Sequence, residues 1–281
     1  MTTTDLAAKL NRMAGPIHGF IYFAPEATEE YEALGLPTSH HYFASRAAAL
    51  GAVPAEVVVA TFFNFPPFMV EVAIPDAWSI APPAAIQTGR MRAAGRALRR
   101  LAGDALDADG IAAACALTGR MIAGVGDAGR PLAAGNRAVP EPDDPWERLW
   151  QRITIIREWR GDTHVAALIA AAVDPVEALL LHAATGQVPL AALKATRPWS
   201  EQAYDAGVKR LRARGLLDDG GTFTAEGRGF REAIERVTDE ASAPLIEATG
   251  PSDSHQLLEL LRPIRKALVE GGAFAAMRSK R

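Results

Sequence analysis

A single cysteine, Cys115, stands among 281 residues, which excludes an internal disulfide and a thiolate-rich metal site. It lies in the apolar run IAAACALTG and reads as a small core residue. No uncharged apolar stretch of about 18 residues occurs, so no membrane span is expected. The start, MTTTDLAAKL, lacks the apolar segment of a signal peptide, and the expected compartment is the cytoplasm. Net charge is −3, so no global basic field advertises nucleic acid, and any basic surface has to be local. Catalytic signatures are missing as well: there is no H-E-x-x-H, no G-x-S-x-G and no G-x-x-x-x-G-K-[ST]. GVGDAG at 124–129 follows a helical pattern and not a strand, so it fits no dinucleotide fingerprint. His40 and His41 point apart on a helix, and no spacing requires His18, His164 and His182 to converge on zinc. No cofactor and no metal are expected.

What is present is helical pattern. Hydrophobic residues make up 49% and charged residues 22%, a globular composition, and the length suggests two domains. Residues 1–142 read as a helical lobe. A short helix over Asp5–Ala14 is followed by a new one beginning at Pro16, where proline suits a first turn. VVVATFF is β-branched, but its Pro-Ala-Glu start and helical neighbours favour a helix that ends at Pro66 and Pro67. Residues 83–101 form a helix with an arginine-rich face of Arg90, Arg92, Arg96, Arg99 and Arg100. Eleven of the 19 aromatic residues fall in the first 80 positions, as either a large-side-chain core or an aromatic pocket wall. The proline-rich, acidic VPEPDDP is the linker to a second domain, 143–281.

The stretch Trp146–Val173 anchors the chain. At helical spacing, Trp146, Trp150, Ile153, Ile156, Ala167 and Leu168 share a side with Arg157, Arg160 and His164. Cations on a core-facing stripe demand partners or a ligand, because buried charge is costly. Gly161 followed by Asp162, a good N-cap, leaves open a break there. The polar residues form either an ion-pair network locking the lobes together or a binding site. Glu158 and Asp162 are the acids that would orient His164 if it served as an acid–base catalyst, and these three are the catalytic candidates. Arginine suits a carboxylate or phosphate, so Arg157, Arg160, His164, His182 and His18 are candidates for a ligand's polar end. Tyr22, Phe23, Tyr42 and Phe43 are candidates for its apolar wall.

Residues 175–236 read as helix, helix, helix, tight turn, helix. Ser200 caps SEQAYDAGVKRLRARGLL, DDGGTF turns between Leu217 and Phe223, and Thr224 caps the helix that follows. This is the order of a winged helix-turn-helix. VKRLRARGLLDDGGTFTAEGRGFREAIE resembles the recognition helix, wing and following helix of MarR-type regulators, with their L-x-x-x-G-L and T-x-x-G-R segments. REWRGDTHVAALIAA with LLLHAATG resembles an actinobacterial helix-turn-helix family, and that likeness extends over nearly the whole chain. The resemblance implies an all-α fold with a small β-wing, a helical N-terminal lobe and a winged helix-turn-helix lobe. It also implies double-stranded DNA as a partner, a homodimer, and ligand-responsive transcriptional regulation. DNA would meet Ser200, Gln202, Lys209, Arg210, Arg212 and Arg214. The charge of this segment is thin for that purpose, nine Lys or Arg against seven Asp or Glu from Val188 to Arg236. The final helix, Ser252–Gly271, carries a wide leucine stripe that packs either on the first lobe or on a second copy.

Overall fold

The computed structural model describes residues 2–274. Among them the helices run, in order, α1 (Thr3–Gly19), α2 (Pro25–Ala33), α3 (His41–Ala47), α4 (Ala55–Phe62), α5 (Pro67–Glu71), α6 (Asp76–Ile80), α7 (Pro83–Ala102) and α8 (Ala108–Ala123). They continue with α9 (Pro131–Ala138), α10 (Pro145–Ala170), α11 (Pro175–Ala184), α12 (Leu190–Thr196), α13 (Glu201–Ala213), α14 (Ala225–Glu240), α15 (Ala243–Thr249) and α16 (Pro251–Glu270). Their starts follow local chemistry. Asp144, Asp174, Ser200 and Thr224 each accept backbone N–H bonds at the ends of α10, α11, α13 and α14. Proline fills the first turn of α2, α5, α7, α9, α10, α11 and α16, where its missing N–H costs nothing.

One expectation about breaks is corrected and one open alternative is decided. The first helix does not stop at Ala14; α1 runs through Pro16 to Gly19. Gly15, directly before the proline, has no Cβ to meet the pyrrolidine ring. The central helix does not break either, and α10 passes through Gly161 without interruption. A Cβ at Gly161 would lie 2.8 Å from Nη1 of Arg157, so the glycine makes room for that guanidinium.

The class is all-α, and the expected small β-wing is not formed. Among the described residues there is no strand, only an isolated antiparallel bridge between Leu217 and Phe223. The segment between α13 and α14 folds back on itself at that one pair. Backbone bonds do cross it, from the Asp218 amide to the Thr222 carbonyl at 2.9 Å and from the Thr224 amide to the Leu216 carbonyl at 3.2 Å, but the Thr222 amide goes to the Asp218 carboxylate at 2.9 Å, so the return backbone bond of that pair is not made.

Apolar side chains gather in two clusters. The larger joins α1 to α9 with the first half of α10 and with α15 and α16. The smaller takes the last part of α10 and α11 to α14, around Leu168, Leu180, Tyr204, Leu211 and Ile234. The stripe Leu257, Leu258, Leu261, Ile264 and Leu268 on α16 is buried in the first cluster, against α1, α7 and α8. The expected arginine-rich face of α7 is corrected at Arg90, which turns into the core, and the other four arginines are neutralised within the chain. Arg92 and Arg96 meet Glu30, Arg96 also meets Glu29, Arg100 meets Glu26, and Arg99 meets Asp144. Among the described residues no single helix is long and apolar enough to cross a membrane.

Candidate functional site: a polar cleft between two cores

The two cores leave a cleft of about 1140 Å³ between them. One wall is the small-residue side of α1, with Ala8, Gly15 and Gly19, followed by Tyr22. The floor is α10, with Arg157, Glu158, Gly161, Asp162 and His164. The far wall belongs to α11, α14 and the α12–α13 turn, with His182, Arg231, Glu235 and Arg197.

Glu158, 1% exposed, is the electrostatic centre. Arg46 of α3 grips it with two hydrogen bonds, Nε to Oε1 at 3.1 Å and Nη2 to Oε2 at 3.0 Å. Burial alone would raise its pKa. The Arg46 guanidinium, with help from Arg157, overrides this and holds the carboxyl far below the usual range. Burial keeps His18 neutral, well below the ordinary histidine value. Its proton is placed by its neighbours. Buried Arg90 donates to the Tyr22 oxygen at 2.9 Å, so the phenol proton turns to Nε2 of His18 at 3.2 Å. Nδ1 of His18 then carries the ring proton, donated to Thr154 at 3.2 Å. Burial pushes the Tyr22 pKa up to about 12, so it stays a phenol. Arg90 has no exposed surface and no carboxylate partner among the described residues. Its Nε and Nη1 lack acceptors, and the group lies 5.0 Å from the Trp150 ring centre.

The ligand and catalytic candidates mostly reach this cleft, but in different states. Arg157 lines it without a carboxylate partner among the described residues. Arg160 is occupied, its Nη2 lying 2.8 Å from both Asp239 and Glu235 of α14. His164 faces Thr238 at 3.0 Å, and burial lowers its pKa to about 4. His182 lines the cleft, and burial also lowers its pKa. Tyr42 forms part of the wall, Phe43 lies behind it against Phe62 and Phe65, and Phe23 turns outward against Phe274. The trio of His164, Asp162 and Glu158 is not assembled: Asp162 accepts from the Ala133 amide at the start of α9, 3.0 Å away, and Glu158 serves Arg46. No three His, Cys, Asp or Glu side chains among the described residues converge on a metal position.

Asp162 carries a pH signature. Burial raises its pKa to about 6, against the opposing pull of the Ala133 amide. The folded chain therefore holds this proton more tightly than the unfolded one. The stabilisation is complete below the ordinary aspartate value and is lost as pH rises through about 6. Asp162→Asn removes that dependence. The melting-temperature difference between variant and wild type should grow from about pH 4 to pH 6 and level off above. A difference that is flat with pH would refute the assignment.

Arg46, Arg90 and Arg197 escaped sequence-based expectation. Arg90 was detectable, since it shares its helical phase with buried Ile86, Ala93, Ala94 and Ala97, whereas Arg92, Arg96 and Arg99 do not.

The DNA candidates lie on or beside α13. Gln202 and Lys209 are exposed. The Ser200 hydroxyl is used as the helix cap. Arg210 pairs with Glu177 at 2.8 Å and with Asp174. Arg212 donates to the Asp218 carbonyl at 3.0 Å, and Arg214 to the Ala172 carbonyl at 3.0 Å.

Helices α11, α12 and α13 packed on one small core, with α13 presenting an exposed polar side, define a helix-turn-helix protein. The chain belongs to the helix-turn-helix family, whose model matches residues 7–275. That membership points to DNA binding. No curated protein and no solved structure matches the chain.

Proposed function

We propose that the protein is a ligand-responsive transcriptional regulator that binds double-stranded DNA through α13 and a small molecule in the inter-core cleft, acting in the cytoplasm. One observation carries the reading: the cleft is walled by the helical lobe on one side and by the helix-turn-helix unit on the other, with Arg197 of the α12–α13 turn among its lining. A molecule bound there touches both units at once. Its differential contacts would bias how α13 is held. Domain division follows the same plan, a helical lobe within 1–142 and the DNA-reading unit within 143–281, with α15 and α16 packed back on the first core. Gln202 and Lys209 are the free contacts on α13, and Arg210, Arg212 and Arg214 reach phosphate only by exchanging their present partners. A homodimer, which a MarR-type relationship implies, has to use surface other than the α16 stripe, because that stripe is covered.

The test is fluorescence anisotropy with the DNA upstream of the protein's own gene and with a scrambled duplex, each at low and near-physiological salt. Tighter binding to the upstream DNA that survives added salt is the expected result. Equal binding that disappears with salt, or none, would reduce α11–α14 to a structural module.

A further inference from the structure

One end of the cleft carries more positive charge than its acids balance. Arg46, Arg157 and Arg197 line it together with His18, Tyr22, Tyr42 and Glu158, and buried Arg90 lies directly behind Tyr22. The carboxylates in the same neighbourhood are Glu158 and Asp162. Four guanidinium groups against two carboxylates leave an excess of two positive charges, and His18 and Tyr22 add none. Both acids are already committed, Glu158 to Arg46 and Asp162 to the start of α9. Buried charge without a counterion is costly, so this end favours an anion.

The donors that remain have a defined setting. Arg197 gives Nε to the Asn64 side chain at 3.3 Å and Nη1 to the Thr196 carbonyl at 3.0 Å. Its Nη2 has no partner among the described residues. The guanidinium lies 3.6 Å over the Phe65 ring, and Arg46 lies 4.3 Å over Phe62. Tyr42 stands beside them, 5.3 Å from Phe65 and 4.8 Å from Tyr22 between ring centres. The Tyr42 oxygen accepts from Nη1 of Arg46 at 3.4 Å, which leaves its own proton to donate. Cations and hydroxyl protons against a wall of aromatic rings match a planar ring that carries an acid group.

We infer that this end of the cleft binds an aromatic carboxylate, its acid group neutralised by Arg197 and Arg157 and its ring against Tyr42 and Tyr22. The inference rests on the ligand-binding reading of the cleft and names the ligand class. Arg197 belongs to the turn before α13, so the same contact joins the ligand to the DNA-reading helix.

Calorimetric titration of the full chain with 2-naphthoate and with the neutral 2-naphthamide tests it. Wild type should bind the acid about tenfold more tightly than the amide, as charge-assisted hydrogen bonds require. Arg197→Gln should bring the two within about threefold, and Arg197→Lys should retain part of the preference. If Arg197→Gln does not fold, Tyr42→Phe keeps the ring and should weaken the acid but not the amide. Equal affinities in wild type, a preference unchanged in Arg197→Gln (or, where that variant is unfolded, in Tyr42→Phe), or no saturable binding of either compound would overturn the assignment. Gly19→Phe separates the two levels, because open space lies where the new side chain would enter the cleft. Equal affinities that Gly19→Phe abolishes would defeat the anion assignment and leave the cleft reading intact. Binding indifferent to Gly19→Phe would defeat both.

Discussion

Glu158→Ala should lower stability by about 3–5 kcal/mol, the cost of breaking a buried ion pair by removing one partner. In a chain of this size that corresponds to a drop of roughly 6–15 °C in melting temperature. The size follows from what is left behind. Arg46 loses both oxygens that its Nε and Nη2 hold, and Arg157 loses a compensating charge. The double variant Arg46→Met/Glu158→Leu should recover much of the loss, because a well-packed apolar pair avoids the desolvation that both charges suffer. Thermal and chemical denaturation of wild type, single and double variants give the comparison. A single variant that loses less than about 1 kcal/mol would mean that the pair behaves as an exposed one.

Gly227→Ala should cost about 2–3 kcal/mol, at the upper end for inserting a methyl group into filled space. Its Cβ would stand 1.9 Å from the Leu216 carbonyl oxygen and 2.8 Å from that carbonyl carbon, with the Phe223 ring at 3.0 Å. Two of those three atoms are backbone, and the Thr224 cap pins the same turn through the Gly227 amide at 2.9 Å. Neither side can yield without pulling α14 from the end of α13. Gly229, two residues on, is the control, since nothing lies within 4 Å of its added Cβ. Gly229→Ala should stabilise by about 0.5–1 kcal/mol through helix propensity. Urea titrations that give the two variants the same sign would refute the packing account.

Gly227 also shows how far the residue pattern reaches. In T-A-E-G-R the threonine is a cap and the glycine is the position where α14 must touch the preceding carbonyl, so one short motif fixed a helix start and a close approach. DDGGTF predicts a turn, which forms, and flanking strands, which do not. The Asp218 carboxylate takes the Thr222 amide and Thr224 already caps α14, so pairing stops at the single bridge between Leu217 and Phe223. Helical phase on α10 brought Arg157, Arg160 and His164 to one cleft. Phase does not reveal which of them is already engaged. Arg160 and His164 are taken by Asp239 and Thr238, 79 and 74 residues away in sequence. The Arg197 contact with Asn64 spans 133 residues, so no local pattern carries it.

Cys115 is buried in the first core, where its thiol donates to the Pro145 carbonyl at 3.4 Å and burial pushes its pKa up. A thiol in that state reacts with a reagent only when α8 separates from the start of α10. The chain thus carries its own clock for the opening of one core. The modification rate of Cys115 follows the first core alone, whereas amide exchange around Leu211 and Ile234 follows the second. A ligand that slows both in parallel joins the two cores into one cooperative unit. A ligand that slows only the second shows that they breathe independently.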